Sequence, residues 1–325
     1  MTDLEKAILA AVIYFDMFAY PLTATEIWQG LYFEPAIDNS PTNKQDAYSI
    51  AEVIKCLQTS NNIKRYTTSQ NGFYFRQGRS EILATRHQRY LIGQPKWRRA
   101  CWIIKILRLT PFVHLLAVCN KIAYDNADDD SDIDLFIIIK PGRIWTARMI
   151  VTLITSLLGV RRHGDKIKDR ACLSFYITER ALDLAQLAHT TPDTHFMYWI
   201  TQIAPIFSLN NTQSTFWQAN NWIKKHLPNS TSYQGVDYQR QVTNGVLTNL
   251  VRRMEEKILS GWVGDKLEEK LKKLQLKKMS AKTKSARWQD NTDVVVTDDV
   301  LKFHERDARV KWRQEFIKRL ATLEN

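Results

Sequence analysis

The segment Ser131-Asp-Ile-Asp-Leu-Phe-Ile-Ile-Ile139 decides the fold of the central part of this 325-residue chain. Its run from Leu135 onwards is entirely apolar and rich in branched side chains, which is typical of a strand buried on both faces. Asp132 and Asp134 stand at the start of that strand. Because side chains alternate along a strand, we expect both carboxylates on the same side of the sheet.

Two carboxylates held together at the start of a buried strand are unfavourable by themselves. Each loses hydration on burial, and the two charges repel each other. A hard divalent cation relieves both effects, because such cations take carboxylate oxygens as ligands. The sequence therefore predicts that Asp132 and Asp134 are metal ligands for Mg²⁺ or Mn²⁺. The alternative is that the two aspartates cap a turn at the strand edge.

Regular elements are also predicted on both sides of this segment. The apolar run from Leu115 to Cys119 predicts a preceding strand, and the pattern from Arg143 to Gly159 predicts a following helix. Ala171–Thr178 predicts the strand that lies beside the first. Together these elements predict an α+β domain with a mixed sheet over residues 111–232.

The motif resembles that of the polymerase-beta-type nucleotidyltransferase superfamily, in which a Gly-Ser pair precedes Asp-x-Asp at the start of a strand. Ser131-Asp132-Ile133-Asp134-Leu135 matches the second half of that pattern. The resemblance implies a nucleotidyltransferase fold, with Asp132 and Asp134 as catalytic metal ligands, Ser131 beside the substrate, and an NTP as donor. It also implies a third carboxylate on a neighbouring strand, which activates the attacking hydroxyl.

The upstream half of the motif departs from the family pattern. Asn120 and Lys121 occupy the positions of the Gly-Ser pair, and Asp125 replaces a later glycine. Asn and Asp tolerate the left-handed backbone conformation that glycine supplies. Lys121 offers a point charge to a phosphate, although it could equally fill the pocket. We therefore expect Asn120 and Lys121 to lie beside the phosphates of the substrate.

The third carboxylate has no clear position in the sequence. The predicted neighbouring strand contains Ser174 but no acidic residue, while Asp165, Asp169 and Glu179 lie outside it. If none of these three reaches the metal site, the general base is missing. Turnover is then expected to be slow or absent.

Residues 1–79 carry the pattern of a small helical module. Helical spacing of apolar residues predicts a first helix over residues 3–19. Thr23-Ala-Thr-Glu26 and Ser49-Ile-Ala-Glu52 are capping boxes that open two further helices. The stretch 34–47 is rich in Asn, Pro, Ser and Asp and predicts a loop.

A hairpin is predicted after these helices, because residues 63–76 alternate β-forming side chains around Asn71-Gly72. Three helices followed by a hairpin resemble a winged helix-turn-helix. Such a module would contact DNA through its third helix, with Lys64, Arg65 and Arg76 on phosphates. The alternative is a docking module.

The rest of the chain is predicted to be mainly helical. Residues 80–110 form a basic aromatic connector, which Pro95 interrupts and Pro111 ends. Residues 195–227 predict an aromatic helical segment on the sheet. Residues 233–325 predict a basic helical region, with one amphipathic helix from Val246 to Lys278, a short strand at 294–297, and a closing helix capped by Asp298 and Asp299.

The composition of the chain limits the classes of binding partner and the cellular compartment that we expect. The net charge of +12 and the pI near 9.5 favour polyanionic partners. The four cysteines are far apart and form no C-x-x-C pair, which is typical of free thiols. The longest apolar stretch, from Met149 to Val160, is too short to span a bilayer, and the chain does not begin like a secretory signal. We expect a cytoplasmic protein with no membrane partner.

These observations predict a Mg²⁺-dependent nucleotidyltransferase that moves a nucleotidyl group from an NTP to a nucleic-acid or protein acceptor. Two alternatives stay open. The first is a non-catalytic regulator that senses nucleotide or binds nucleic acid through the winged helix. The second is a toxin-antitoxin-like partner protein.

Overall fold

The computed structural model describes residues 1–34, 48–189, 192–231, 240–280, 293–303 and 308–323. Its amino-terminal elements are α1 (Asp3–Asp16), β1 (Leu22–Thr23), α2 (Ala24–Gln29), α3 (Ile50–Thr59), α4 (Asn61–Tyr66), β2 (Thr67–Gln70), β3 (Phe73–Arg76) and α5 (Glu81–Leu107). The central elements are β4 (Val113–Val118), α6 (Asn120–Ala123), β5 (Ile133–Ile139), α7 (Ile144–Leu157), β6 (Ala171–Thr178), α8 (Thr194–Thr201), β7 (Ala204–Ser208) and α9 (Thr212–Ala219). The last are α10 (Val246–Ile258), α11 (Gly261–Ser280), β8 (Val294–Val296), β9 (Val300–Phe303) and α12 (Arg309–Ala321).

The amino-terminal helices begin where the sequence predicts them. The capping boxes at Thr23 and Ser49 are both formed, and each hydroxyl accepts the backbone N–H of a glutamate three residues later. The hairpin β2–β3 turns at Asn71-Gly72, and β1 pairs with β3 to give a three-stranded sheet. Most of the predicted loop at 34–47 lies outside the described residues.

One prediction in this region is wrong. The first predicted strand of the hairpin begins at Ile63, whereas residues 61–66 form the short helix α4. The Ser60 hydroxyl accepts the backbone N–H of Ile63 at 3.1 Å, which is a helix N-cap. The N-cap therefore stabilises helix α4 where the sequence predicts a strand, and β2 starts only at Thr67.

Helix α5 is continuous, so the predicted interruption at Pro95 is also wrong. A proline inside a helix costs about 3 kcal/mol, because it removes one hydrogen bond and crowds the preceding turn. Trp97, Ile104 and Leu107 lie after the proline and are buried in the core of the central domain. Burial of such side chains offsets the local cost.

The central sheet has the strand order β7-β4-β5-β6-β9-β8. Strands β5 and β6 are parallel and are joined through helix α7, while the other neighbours are antiparallel. The expected mixed sheet of an α+β structure is thus present. All side chains of β4 and nearly all of β5 are buried, so both faces of the sheet centre are covered.

Three other predictions need correction. The aromatic segment 195–227 contains strand β7, which joins the central sheet beside β4. The single helix predicted from Val246 to Lys278 is two helices, because the chain turns between α10 and α11, with Gly261 at a positive φ. Asp298 and Asp299 precede strand β9, not the closing helix.

The region 233–325 therefore contributes two strands to the central sheet in addition to its helices. Helix α12 packs against α1 and α8, and so it connects the amino-terminal elements with the central domain. The predicted boundaries at 79, 110 and 232 stay predictions. In the described part of the chain, every helix is too short or too polar to span a bilayer.

We expect Phe136→Ala to lower the free energy of unfolding by about 3–5 kcal/mol, because it leaves a cavity in the sheet centre. The Phe136 ring contacts the rings of Phe175, Phe216 and Trp199 at centroid distances of 5.2, 5.4 and 6.0 Å. Urea unfolding measures the change. The control is Leu157→Ala, whose side chain is 85% exposed. Equal stability of the two variants would contradict this account of the core.

Candidate metal and nucleotide site

The two aspartates of the motif lie together at the start of β5. Strand β6 runs parallel to β5, with Asp134 paired to Cys172. One ligand atom each from Asp132, Asp134 and Cys172 can be chosen so that all three lie within 4.8 Å of one another. The geometry suits a single cation bound by two carboxylates and, on one side, a thiol.

Side chains, not backbone groups, contact these carboxylates. Asp132 accepts a hydrogen bond from Arg162, while Asp134 is hydrogen-bonded to the side chains of Asn120 and Cys172. Among the described residues, no backbone N–H donates to either carboxylate. A turn cap requires such a donor, so the turn-cap alternative does not fit this arrangement.

The electrostatic cost of the pair is greatest at Asp134. Burial and the neighbouring charge of Asp132 together raise the pKa of Asp134 to about 6, against the hydrogen bond from Asn120, which favours the charged form. Burial and the nearby Asp134 also raise the pKa of the Cys172 thiol to about 12. The thiol is therefore protonated at neutral pH and is unsuited to act as a general base.

Asn120 has the backbone conformation that the sequence predicts, with φ of +58° at the start of α6. Asp125, the other replaced glycine, also has a positive φ of +54°. The Asn120 amide oxygen accepts a hydrogen bond from the Trp199 indole at 2.7 Å. Because its amide group also contacts Asp134, Asn120 orients a carboxylate in addition to forming the turn.

Lys121 and Ser131 meet at a third residue, Asp128. The Lys121 ammonium donates to the Asp128 carboxylate at 2.7 Å, and both side chains are about half exposed, at 54% and 47%. The Ser131 hydroxyl donates to the same carboxylate and accepts the backbone N–H of Asp128 at 3.1 Å. These contacts close the turn that leads into β5.

Arg162 is a charged residue of the site that the sequence analysis missed. Its guanidinium donates to Asp132 at 2.6 Å and contacts the Cys172 sulfur at 3.8 Å. The side chain of Arg162 is 43% exposed, whereas that of Asp132 is 15% exposed. The available signal was the basic stretch Arg161-Arg162-His163 shortly before the predicted strand.

Lys96 was predicted only as part of the basic connector, but it is buried and shapes the motif. Its ammonium donates to the backbone oxygens of Asp129 and Ser131, both at 2.8 Å, and to the Asp169 carboxylate at 2.7 Å. A buried ammonium requires such partners, because it loses its hydration. Lys96 thereby attaches helix α5 to the turn before β5.

None of the three candidate third carboxylates joins the pair. Asp169 binds Lys96, Glu179 accepts hydrogen bonds from His114 and Thr212, and Asp165 lies in an exposed loop. Among the described residues, the group around the two aspartates is completed by Cys172 and contains no third carboxylate.

The site thus combines two carboxylates, a protonated thiol and one arginine at the junction of two parallel strands. No protein-family model, no curated protein and no solved structure matches this chain.

We expect Asp134→Asn to stabilise the metal-free protein at pH 8 and to have little effect at pH 4. A folded-state pKa above the unfolded value means that the folded protein holds this proton more tightly, so stability is lost as pH rises from about 4 to about 6. Because asparagine cannot ionise, Asp134→Asn should raise the free energy of unfolding at pH 8 by an amount on the order of 1–3 kcal/mol. Urea unfolding with a chelator at both pH values measures it.

The matched control is Asp129→Asn, which removes an exposed carboxylate from the same turn. It should not reproduce the gain in stability at pH 8. If the difference in unfolding free energy between Asp134→Asn and the wild type is the same at pH 4 and at pH 8, Asp134 is not under electrostatic strain.

Proposed function

We propose that the chain binds an NTP together with Mg²⁺ or Mn²⁺ at Asp132 and Asp134, and transfers the nucleotidyl group to an acceptor. One observation carries the proposal. Two carboxylates converge at the start of a buried strand, beside a turn in which Asn120 takes the left-handed conformation of the glycine in the nucleotidyltransferase pattern. The arrangement of strand, turn and carboxylates supports the class of function as well as the metal.

A divalent cation would relieve the electrostatic cost of this carboxylate pair. It would neutralise the charge that raises the pKa of Asp134, and it would replace the hydration that burial removes. Asp132 and Asp134 would hold the cation, which would supply charge neutralisation for the phosphates of an NTP during the transfer. The hydrogen bond from Asn120 restricts the orientation of the Asp134 carboxylate.

The triphosphate is assigned to the turn at Asn120 and Lys121, at the end of β4. The ion pair between Lys121 and Asp128 is half exposed, and such pairs contribute only about 0–1 kcal/mol. Lys121 can therefore exchange Asp128 for a phosphate at small cost. The charge of Lys121 is available to the triphosphate without a change in the fold.

A second candidate function is a regulator that senses nucleotide without transferring it. The observation in its favour is the position of Cys172, a protonated thiol beside the pair where a third carboxylate would be needed to activate a hydroxyl. In this candidate, helix α3 and the hairpin β2–β3 form the winged helix that contacts DNA. The guanidinium of Arg76 in that hairpin forms an ion pair with the Asp16 carboxylate at 3.5 Å, so it is only partly available to phosphates.

Asp132→Asn and Asp134→Asn should each weaken binding of NTP with Mg²⁺ about tenfold or more, because each removes a charged metal ligand. Isothermal titration with the four NTPs measures this, and Asp129→Asn is the control for loss of a nearby charge. Tight NTP binding whose affinity is unchanged by both substitutions would contradict the proposal. Labelled NTP then separates the candidates, since an enzyme transfers the label and a sensor does not.

Arg162→Gln should strengthen binding of Mn²⁺ alone about two- to fivefold. The arginine competes with the cation for Asp132, and an ion pair whose arginine is 43% exposed is worth roughly 0.5–1 kcal/mol. Paramagnetic resonance of free Mn²⁺ measures the affinity, with Lys166→Gln as a control that removes a charge from the same loop. Weaker Mn²⁺ binding would mean that Arg162 positions the carboxylates and does not compete for them.

A further inference from the structure

An open cavity of about 270 Å³ lies beside the metal site, on the side of strand β6. Its lining includes Arg148, Arg161, Arg162, His163, Ser174 and Phe303, and we call it the arginine pocket. Among the described residues that line it, none carries a carboxylate. Three guanidinium groups around one small cavity predict an anionic ligand.

Arg148 and Arg161 differ in how the surrounding residues hold them. The Arg148 guanidinium lies 5.0 Å from the centre of the Phe303 ring and donates to Gln275. Gln275 is itself buried and fixed by donating to the backbone oxygen of Trp145 at 2.8 Å. By contrast, the guanidinium of Arg161 makes no hydrogen bond or ion pair with any described residue. One arginine is thus held in position and the other has donors available.

Arg162 connects the arginine pocket with the metal site. It lines the pocket and also donates to Asp132 at 2.6 Å. A cation bound to Asp132 replaces Arg162 as the counter-charge of that carboxylate. Arg162 is then available to an anion in the pocket, so cation and anion should each strengthen binding of the other.

The arginine pocket and the turn proposed to bind the triphosphate lie at different strands of the sheet. In the sheet, β5 lies between β4 and β6. The turn at Asn120 and Lys121 follows β4, whereas Cys172 and Ser174 of the pocket belong to β6. The two anion sites therefore flank the carboxylate pair, as donor and acceptor must for an in-line displacement.

We propose that the arginine pocket binds the phosphate group of the acceptor, and that the acceptor is a small phosphate monoester. This inference rests on the function proposed above. Arginine binds phosphate oxygens in pairs through its planar fork, and the Ser174 hydroxyl adds a neutral hydrogen-bonding group. The cavity volume of about 270 Å³ matches the size of a small phosphate ester.

The reaction then needs no general base. An oxygen of the acceptor phosphate attacks the α-phosphorus of the NTP and forms a P–O–P bond. The bond from the α-phosphorus to the bridging oxygen of the β-phosphate breaks, and pyrophosphate leaves with the electron pair. A phosphate monoester loses its second proton with a pKa near 6, so its attacking oxygen is already deprotonated at pH 7. No carboxylate is required where Cys172 stands.

The first test is binding of inorganic phosphate by the full chain in Mg²⁺, measured by isothermal titration. Arg161→Gln should weaken it about tenfold, since a hydrogen bond to a charged group contributes about 1.5–3 kcal/mol. Lys166→Gln removes a charge from the same loop outside the pocket and should leave the affinity unchanged. Equal affinities of the two variants would overturn the proposal.

The same variants distinguish acceptor from donor. Arg161→Gln should leave binding of ATP with Mg²⁺ unchanged, and phosphate should bind to the ATP-loaded protein. If phosphate competes with ATP, or if Arg161→Gln weakens both alike, the pocket belongs to the NTP and the acceptor assignment is overturned. Loss of ATP binding in Asp132→Asn is independent of these outcomes, so a failure of the proposed function is recognised separately.

The second test is transfer. With α-labelled NTPs, glucose 1-phosphate and ribose 5-phosphate should give labelled diphosphate esters together with pyrophosphate, and glucose and ribose should give none. Label on a nucleic acid or a protein, or on the sugars without phosphate, would overturn the acceptor class. Absence of any diphosphate product from a protein that binds both NTP and phosphate would overturn the transfer step.

Discussion

The position of the partly buried Asp134 next to Asp132 is the constraint on which the site depends. Strand β5 must be apolar to occupy the centre of the sheet, yet it begins with two acids whose charges repel each other. The groups around the pair reduce that repulsion without abolishing it. Arg162 supplies a counter-charge to Asp132, while Asn120 donates to Asp134. The pKa of Asp134 is raised nonetheless, so the carboxylate pair carries electrostatic strain at neutral pH.

Buried polar contacts on the far side of the turn keep the pair in place. Lys96 reaches from helix α5 to two backbone oxygens before β5, and it also holds Asp169. Such a buried ammonium is costly unless all its donors are used, and here three acceptors surround it. The turn therefore cannot relax to separate the carboxylates without breaking these bonds. The rigidity of the scaffold maintains the strain at the site.

The sequence allowed prediction of those features that depend on local chemistry. The strands at β5 and β6, the helix between them and the positive φ of Asn120 follow from apolar runs and from what an asparagine tolerates. Features that depend on distant segments could not be predicted. Strand β9 lies far along the chain from its partner β6, and Arg162 reaches Asp132 only because β6 returns parallel to β5. Pro95 was misjudged because tertiary burial outweighed its local cost.

The neutral thiol of Cys172 beside the two aspartates has a consequence for both candidate functions. A carboxylate there would add a third negative charge to a pair that already repels, and it would also attract the arginines of the β6 side. With a neutral thiol, Arg161 and Arg148 face the cavity instead of an acid. A thiol at this position supplies no base for a hydroxyl acceptor, and it leaves the cavity beside the two aspartates cationic. An acceptor that brings its own negative charge satisfies both conditions, because it needs the arginines and does not need the base.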